Sequence, residues 1–170
     1  IQAPHRQAYG CGGIGFFLPQ EFSVVHREKD RLVLVWEETG AVIYCRAGIY
    51  QDFLRSVRPG TRRILPGLFH IRSGYEMARW VYGATYGVLP LVFQARALQD
   101  LKDVRMLDFV GPASRGLAVV SAAPGGGAED VDLVLLDPGS GREILFLVRG
   151  SPARTEELIG LLRASFLPLA

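Results

Sequence analysis

Asparagine is absent from this 170-residue sequence, and lysine is nearly so, with 2 lysines beside 17 arginines. Without asparagine the chain has no acceptor for N-linked glycosylation. The scarcity of lysine indicates a GC-rich coding bias, with a thermophilic source as the alternative. Cysteine is also scarce: Cys11 and Cys45 leave two states open, a pair of free thiols or one disulfide. A chain of this length buries enough surface to fold without a metal or a disulfide.

Long apolar runs are missing as well. The longest, over residues 80–93, is interrupted by Gly83, Gly87 and Pro90, so it falls short of the roughly 18 apolar residues that predict a membrane span. Three histidines and two cysteines stand at no metal-finger spacing, and no motif calls for a bound group. We therefore predict no metal site and no cofactor.

The composition that remains is that of a folded domain. Hydrophobic residues make up 49% of the chain and charged residues 21%, which favours a large core and argues against disorder. We expect an irregular arm over residues 1–13 and a single α+β domain over residues 14–170. Because the chain begins at Ile1, we also expect that an upstream piece has been removed.

Short apolar segments separated by turn residues predict most of the secondary structure. Strands are expected over residues 31–36, 41–47, 117–122, 131–136 and 144–148, with hairpin turns at residues 38–40 and 137–141. Ser151 and Pro152 predict the start of a C-terminal helix, as its N-cap and its first residue. The resulting fold class is an antiparallel β-sheet with the C-terminal helix packed on one face. A small β-barrel or a pleckstrin-like fold capped by that helix is the alternative. Residues 75–93 fit a strand or a helix, and their aromatic content favours a strand.

A glycine-rich stretch at residues 10–15 (GCGGIG) has the letters of a dinucleotide-binding loop. That loop works only between a strand and a helix, because the helix N-terminus holds the pyrophosphate. A polar arm precedes the stretch here and Pro19 follows it, so we interpret it as a flexible glycine arm.

The most basic segment lies between positions 46 and 72, where six arginines accompany one acidic residue, for a local charge of +5. Such a segment is a solvated face or a binding surface for an acidic protein, an anionic ligand or an anionic membrane. The overall charge of +2 is too small to indicate nucleic-acid binding. We predict that a protein partner binds here, through Arg55, Arg58, Arg62 and Arg63.

A second group of candidates is aromatic. These side chains are core residues or they line a pocket for a small apolar ligand: Trp80, Tyr82, Tyr86 and Phe93.

The two ends of the sequence carry a family resemblance. The early segment at residues 15–19 (GFFLP) with Phe22, and the final helix ending at residues 161–166 (LLRASF), resemble the PsbP-like group of α/β/α sandwiches. That group includes the extrinsic photosystem II proteins, a Ran-binding nuclear import factor and bacterial envelope proteins such as DcrB. The resemblance implies a protein that binds partners and transfers no catalytic residue to this chain.

These observations lead to one functional hypothesis and two rivals. We predict a non-enzymatic binding or assembly module of a bacterial envelope, such as the periplasm, or of a multi-subunit complex. The first rival is a carrier of a small molecule or lipid in the aromatic pocket. The second is an enzyme of unrecognised type, for which the sequence offers no catalytic signature.

Overall fold

The predicted antiparallel sheet and C-terminal helix are both present in the computed structural model, which describes residues 5–48, 105–110, 114–123 and 125–169. The elements in chain order are β1 (Arg6–Cys11), β2 (Ile14–Pro19), β3 (Ser23–Arg27), β4 (Arg31–Trp36), β5 (Ala41–Ala47), β6 (Arg105–Val110), β7 (Arg115–Ala122), β8 (Glu129–Leu136), β9 (Glu143–Gly150), α1 (Pro152–Ser165) and β10 (Leu167–Pro168). The α+β fold class is thus confirmed.

Seven strands form one large sheet in the order β3-β4-β5-β9-β8-β7-β6, and every neighbouring pair is antiparallel. Both predicted hairpins occur, β4 with β5 and β8 with β9. In the second turn the Asp137 carboxylate accepts the backbone N–H and the hydroxyl of Ser140, at 3.0 and 2.6 Å. The sheet is open, with β3 and β6 at its edges among the described strands, so the barrel alternative is not the fold formed.

Residues 6–11 of the arm expected over residues 1–13 instead form the first strand of a hairpin. β1 pairs with β2 from Arg6 opposite Pro19 to Cys11 opposite Ile14. Gly12 and Gly13 form the turn with φ of 57° and 80°, the left-handed values that a two-residue hairpin turn of type I′ requires. The glycine stretch at residues 10–15 is therefore a tight hairpin with no helix after it. Its conformation excludes the dinucleotide-loop geometry, and pairing with β2 orders residues 6–11.

The hairpin and α1 lie side by side on one face of the large sheet, which we call the inner face. The ring of Phe16 meets that of Phe146 edge-on, with centroids 5.0 Å apart and an interplanar angle of 88°. α1 contacts β2, β8 and β9, and begins at the predicted N-cap, where the Ser151 hydroxyl accepts the N–H of Arg154. The interlayer core holds Leu32, Leu34, Ile43, Cys45, Leu133, Leu135, Ile144, Phe146, Leu158 and Leu162, all fully buried.

The opposite face of the large sheet is also buried at its centre. Leu117 and Val134 lie opposite each other and alternate along their strands with the inner-face residues, so their side chains point to this opposite face, where they are 1% and 0% exposed. Strands buried on both faces carry continuous apolar runs, as β7, β8 and β9 do. Within the described part of the chain, no helix has the length and hydropathy needed to span a membrane.

Candidate functional site

The outer surface of the small β1–β2–β10 sheet carries exposed apolar side chains. Alternation along β2 turns Phe16 inward, where it is 2% exposed, and Phe17 outward, where it is 46% exposed. Leu167 of β10 and Leu169 just after it are 59% and 43% exposed. Leu167 lies opposite Gly15, and the Leu169 side chain lies over that glycine, 3.2 Å from where its Cβ would be. We call Phe17, Leu167 and Leu169 the outer apolar patch.

Hydrogen bonds hold the two halves of this patch in place. The Phe17 N–H donates to the Ser165 hydroxyl at the end of α1, at 2.9 Å, and that hydroxyl donates to the Leu161 carbonyl at 2.7 Å. The Leu169 N–H donates to the Gly13 carbonyl at 2.8 Å. The C-terminal tail is therefore fastened to the hairpin, and the patch is formed before any partner arrives.

Two arginines flank the patch at opposite ends of β2. Arg6 lies opposite Pro19 and two residues from Ala8, the cross-strand neighbour of Phe17, so it shares the outer face. Arg142 lies at the other end, where its guanidinium donates to the carbonyls of Gly13, at 3.1 Å, and Leu169. An apolar surface between two cations suits a partner that pairs apolar side chains with acidic ones.

The two cysteines are free thiols buried at the junction of the hairpin and the large sheet. Cys11 is 3% exposed and Cys45 is 0% exposed. Burial raises the pKa of the Cys11 thiol to about 11, and burial together with the nearby Cys11 raises that of Cys45 well above its usual value. Both are therefore protonated near neutral pH, the opposite of what a catalytic nucleophile requires.

The other residues predicted from the sequence lie elsewhere. The arginines (Arg55, Arg58, Arg62 and Arg63) and the aromatic residues (Trp80, Tyr82, Tyr86 and Phe93) fall outside the described residues, so these interpretations stay predictions. Among the described residues, no group of three or more histidine, cysteine or acidic side chains is placed to hold a metal ion.

The outer apolar patch was not predicted as a site. Adjacent Phe16 and Phe17 on one strand must point to opposite faces, so one of them had to leave the core on that side. The apolar residues after the helix, Leu167 and Leu169, were a further signal. Only the pairing of β10 with β2 places the two signals on one surface.

Comparisons with known proteins identify a fold neighbour and no family. No family model and no curated protein matches the sequence. Among solved structures, the chain is similar to Mog1p, a Ran-binding protein of Saccharomyces cerevisiae, with a TM-score of 0.55 and 8% sequence identity. The match covers 98% of this chain and 97% of Mog1p. At that identity the likeness concerns the fold alone.

Proposed function

We propose that this chain is a non-enzymatic protein-binding module that docks a partner through the outer apolar patch and the arginines of its basic segment. The observation that carries the proposal is the patch: Phe17, Leu167 and Leu169 are exposed together on a surface held by hydrogen bonds. Exposed apolar clusters of this kind are commonly interaction sites, since they cost solubility and add nothing to folding. The fold shared with a Ran-binding protein is consistent with this use.

The charges specify the chemistry of the partner. Arg6 and Arg142 flank the patch, and the segment between positions 46 and 72 has a local charge of +5. We infer a partner protein whose contact segment combines leucine or aromatic side chains with aspartate or glutamate. Within this proposal we assign such a module to a bacterial envelope or a multi-subunit complex, and the reason is the resemblance of the two sequence ends to the PsbP-like and DcrB-like group.

A photo-crosslinking amino acid at position 17 would identify the partner, which is then purified for titration calorimetry with variants of this chain. We expect Phe17→Ser to weaken binding by about tenfold or more, as truncation of a central aromatic anchor does. Its matched control is Val25→Ser, because Val25 is 59% exposed on β3 of the other sheet. Equal binding by both variants would refute the role of the patch.

Salt dependence tests the arginines separately. Changing Arg55, Arg58, Arg62 and Arg63 to glutamine should slow association and flatten the dependence of the rate on salt. The control changes Arg27 and Arg115, two exposed arginines of the described strands. If the fourfold variant associates like the wild type at every salt concentration, the basic segment has no part in the interface.

Two further measurements distinguish this proposal from the alternative functions. The first is binding to phosphatidylglycerol vesicles. If the wild type binds them, Phe17→Ser does not, and no purified protein binds at that site, then the partner is an anionic membrane and not a protein. A native mass spectrum showing an adduct that is lost on denaturation would instead favour a small-molecule or lipid carrier.

A further inference from the structure

The turn after β1 and the end of β5 approach each other closely. A Cβ added to Gly12 would lie 2.2 Å from the Cβ of Ala47, closer than any real contact. Backbone bonds hold the same region, because the Gly12 N–H donates to the Lys29 carbonyl at 3.1 Å and the Ala47 N–H to the Asp30 carbonyl at 2.9 Å. The chain next to Cys11 is therefore pressed against the strand that carries Cys45.

The two sulfurs project into the same interlayer space. Cys11 follows Tyr9 on the inward side of β1, and Cys45 follows Ile43 on the inward side of β5. Both belong to one buried apolar cluster. Burial and the nearby Cys11 together raise the pKa of the Cys45 thiol, as expected for two thiols in one apolar cluster. Ala47 is two positions beyond Cys45 on the same face of β5.

We infer that Cys11 and Cys45 are a cross-linking site, which a disulfide-class oxidant such as glutathione disulfide converts into an intramolecular disulfide. A Cys11 thiolate attacks glutathione disulfide, forming a mixed disulfide and releasing one glutathione thiolate, which takes up a proton. The Cys45 sulfur then attacks the Cys11 sulfur of the mixed disulfide and releases the second glutathione. Two protein thiols are oxidised and one glutathione disulfide is reduced to two thiols, so atoms and electrons balance.

Burial decides when this exchange takes place. Thiolates attack and protonated thiols do not, and both cysteines are protonated and shielded from solvent in the folded chain. The bond therefore forms while the β1–β2 hairpin is undocked from β5, as during folding, and is protected from reductants afterwards. Such a bond persists in oxidising compartments, the periplasm among them. The inference rests on the approach of Gly12 to Ala47 and on the burial of both cysteines in one cluster, and it is independent of the proposed partner binding.

The experiment refolds the reduced, denatured chain in a glutathione redox buffer. We expect an intact mass lower by about 2 Da, no thiol left to alkylate in denaturant, and a non-reducing peptide map joining the Cys11 and Cys45 peptides. The cross-linked chain should melt roughly 5–15 °C above the reduced one, because the bond restricts the unfolded chain. The same buffer applied to folded, reduced protein should react at least about tenfold more slowly.

Cys11→Ala and Cys45→Ala supply the controls, since each leaves one cysteine and a small apolar side chain in the core. Each should take up at most one glutathione and show no rise in melting temperature. The inference is overturned if refolded wild type regains its circular dichroism spectrum with both thiols free, or if the only disulfide joins two chains. It is also overturned if the cross-linked chain melts below the reduced one, because the bond would then distort the fold.

Discussion

Replacing Phe16 with alanine is expected to loosen the β1–β2 hairpin from the large sheet. Phe16 is 2% exposed, meets Phe146 edge-on at 5.0 Å between centroids, and stacks on Tyr9 at 6.1 Å. Truncation of a buried phenylalanine costs about 3–5 kcal/mol, which includes the lost burial and the cavity left behind. The two aromatic contacts, each worth about 0.5–1.5 kcal/mol beyond burial, favour the upper part of that range.

Urea denaturation followed by circular dichroism measures this loss. With an m-value of about 2 kcal/mol per molar, the midpoint should fall by roughly 1.5–2.5 M. Such a change removes a large share of a typical total stability of about 5–15 kcal/mol. Phe16→Leu, which refills most of the space, should recover more than half of the loss.

Phe17→Ala is the matched control, because Phe17 follows Phe16 in the sequence but points to solvent. The free energy of unfolding of this variant should differ from that of the wild type by less than about 0.5 kcal/mol. The pair thus separates stability from binding, since we propose that Phe17 contacts the partner and Phe16 supports the fold. Equal destabilisation by both variants would refute the register in which β2 turns Phe16 inward.

Three further predictions concern the hairpin turn, the thiols and one surface carboxylate. Gly12→Ala should cost about 2–5 kcal/mol, from left-handed strain and the clash with β5, whereas Gly126→Ala, with φ of 76° and open space around it, should cost about 1–2 kcal/mol in the same urea titration. Because the pKa values of Cys11 and Cys45 are raised in the folded chain, reduced protein should be fully stabilised below the unfolded thiol pKa of about 8.5 and lose stability as the pH rises toward 11; the double alanine variant should show a flatter profile between those values. The hydrogen bonds from Ser140 lower the pKa of Asp137, so Asp137→Asn should unfold with a smaller free energy than the wild type above about pH 4, and this difference should disappear as the pH falls through the lowered pKa. A difference in stability that persists in stronger acid would contradict this cause.

Local patterns in the sequence predicted much of the fold. The strands at residues 31–36 and 41–47 have the predicted bounds, and Ser151 caps the helix as expected. Residues 6–11 were misinterpreted as part of an irregular arm, because polar and glycine residues in β1 lack the apolar alternation that marks a strand. Pairing with β2 makes that segment a strand, and pairing is a property of two segments together.

The candidate site was harder to predict for the same reason. Charge and aromatic content drew attention to the arginines and aromatics between positions 46 and 93, which are visible as clusters along the chain. The outer apolar patch joins Phe17 to Leu167 and Leu169, and the hydrogen bond beneath it joins residues 148 positions apart. No window along the sequence contains both halves of that surface.

By itself the sequence determined the hairpin turns at residues 38–40 and 137–141, the strands beside them, and the start of the helix at Ser151 and Pro152, because each depends on residues a few positions apart. Only the tertiary structure decided that β5 pairs with β9, that Gly12 beside Cys11 packs against the end of β5, and that Phe17 shares a surface with the C-terminal tail. Those contacts join distant parts of the chain, and their free energy comes from burial that exists once the layers have packed.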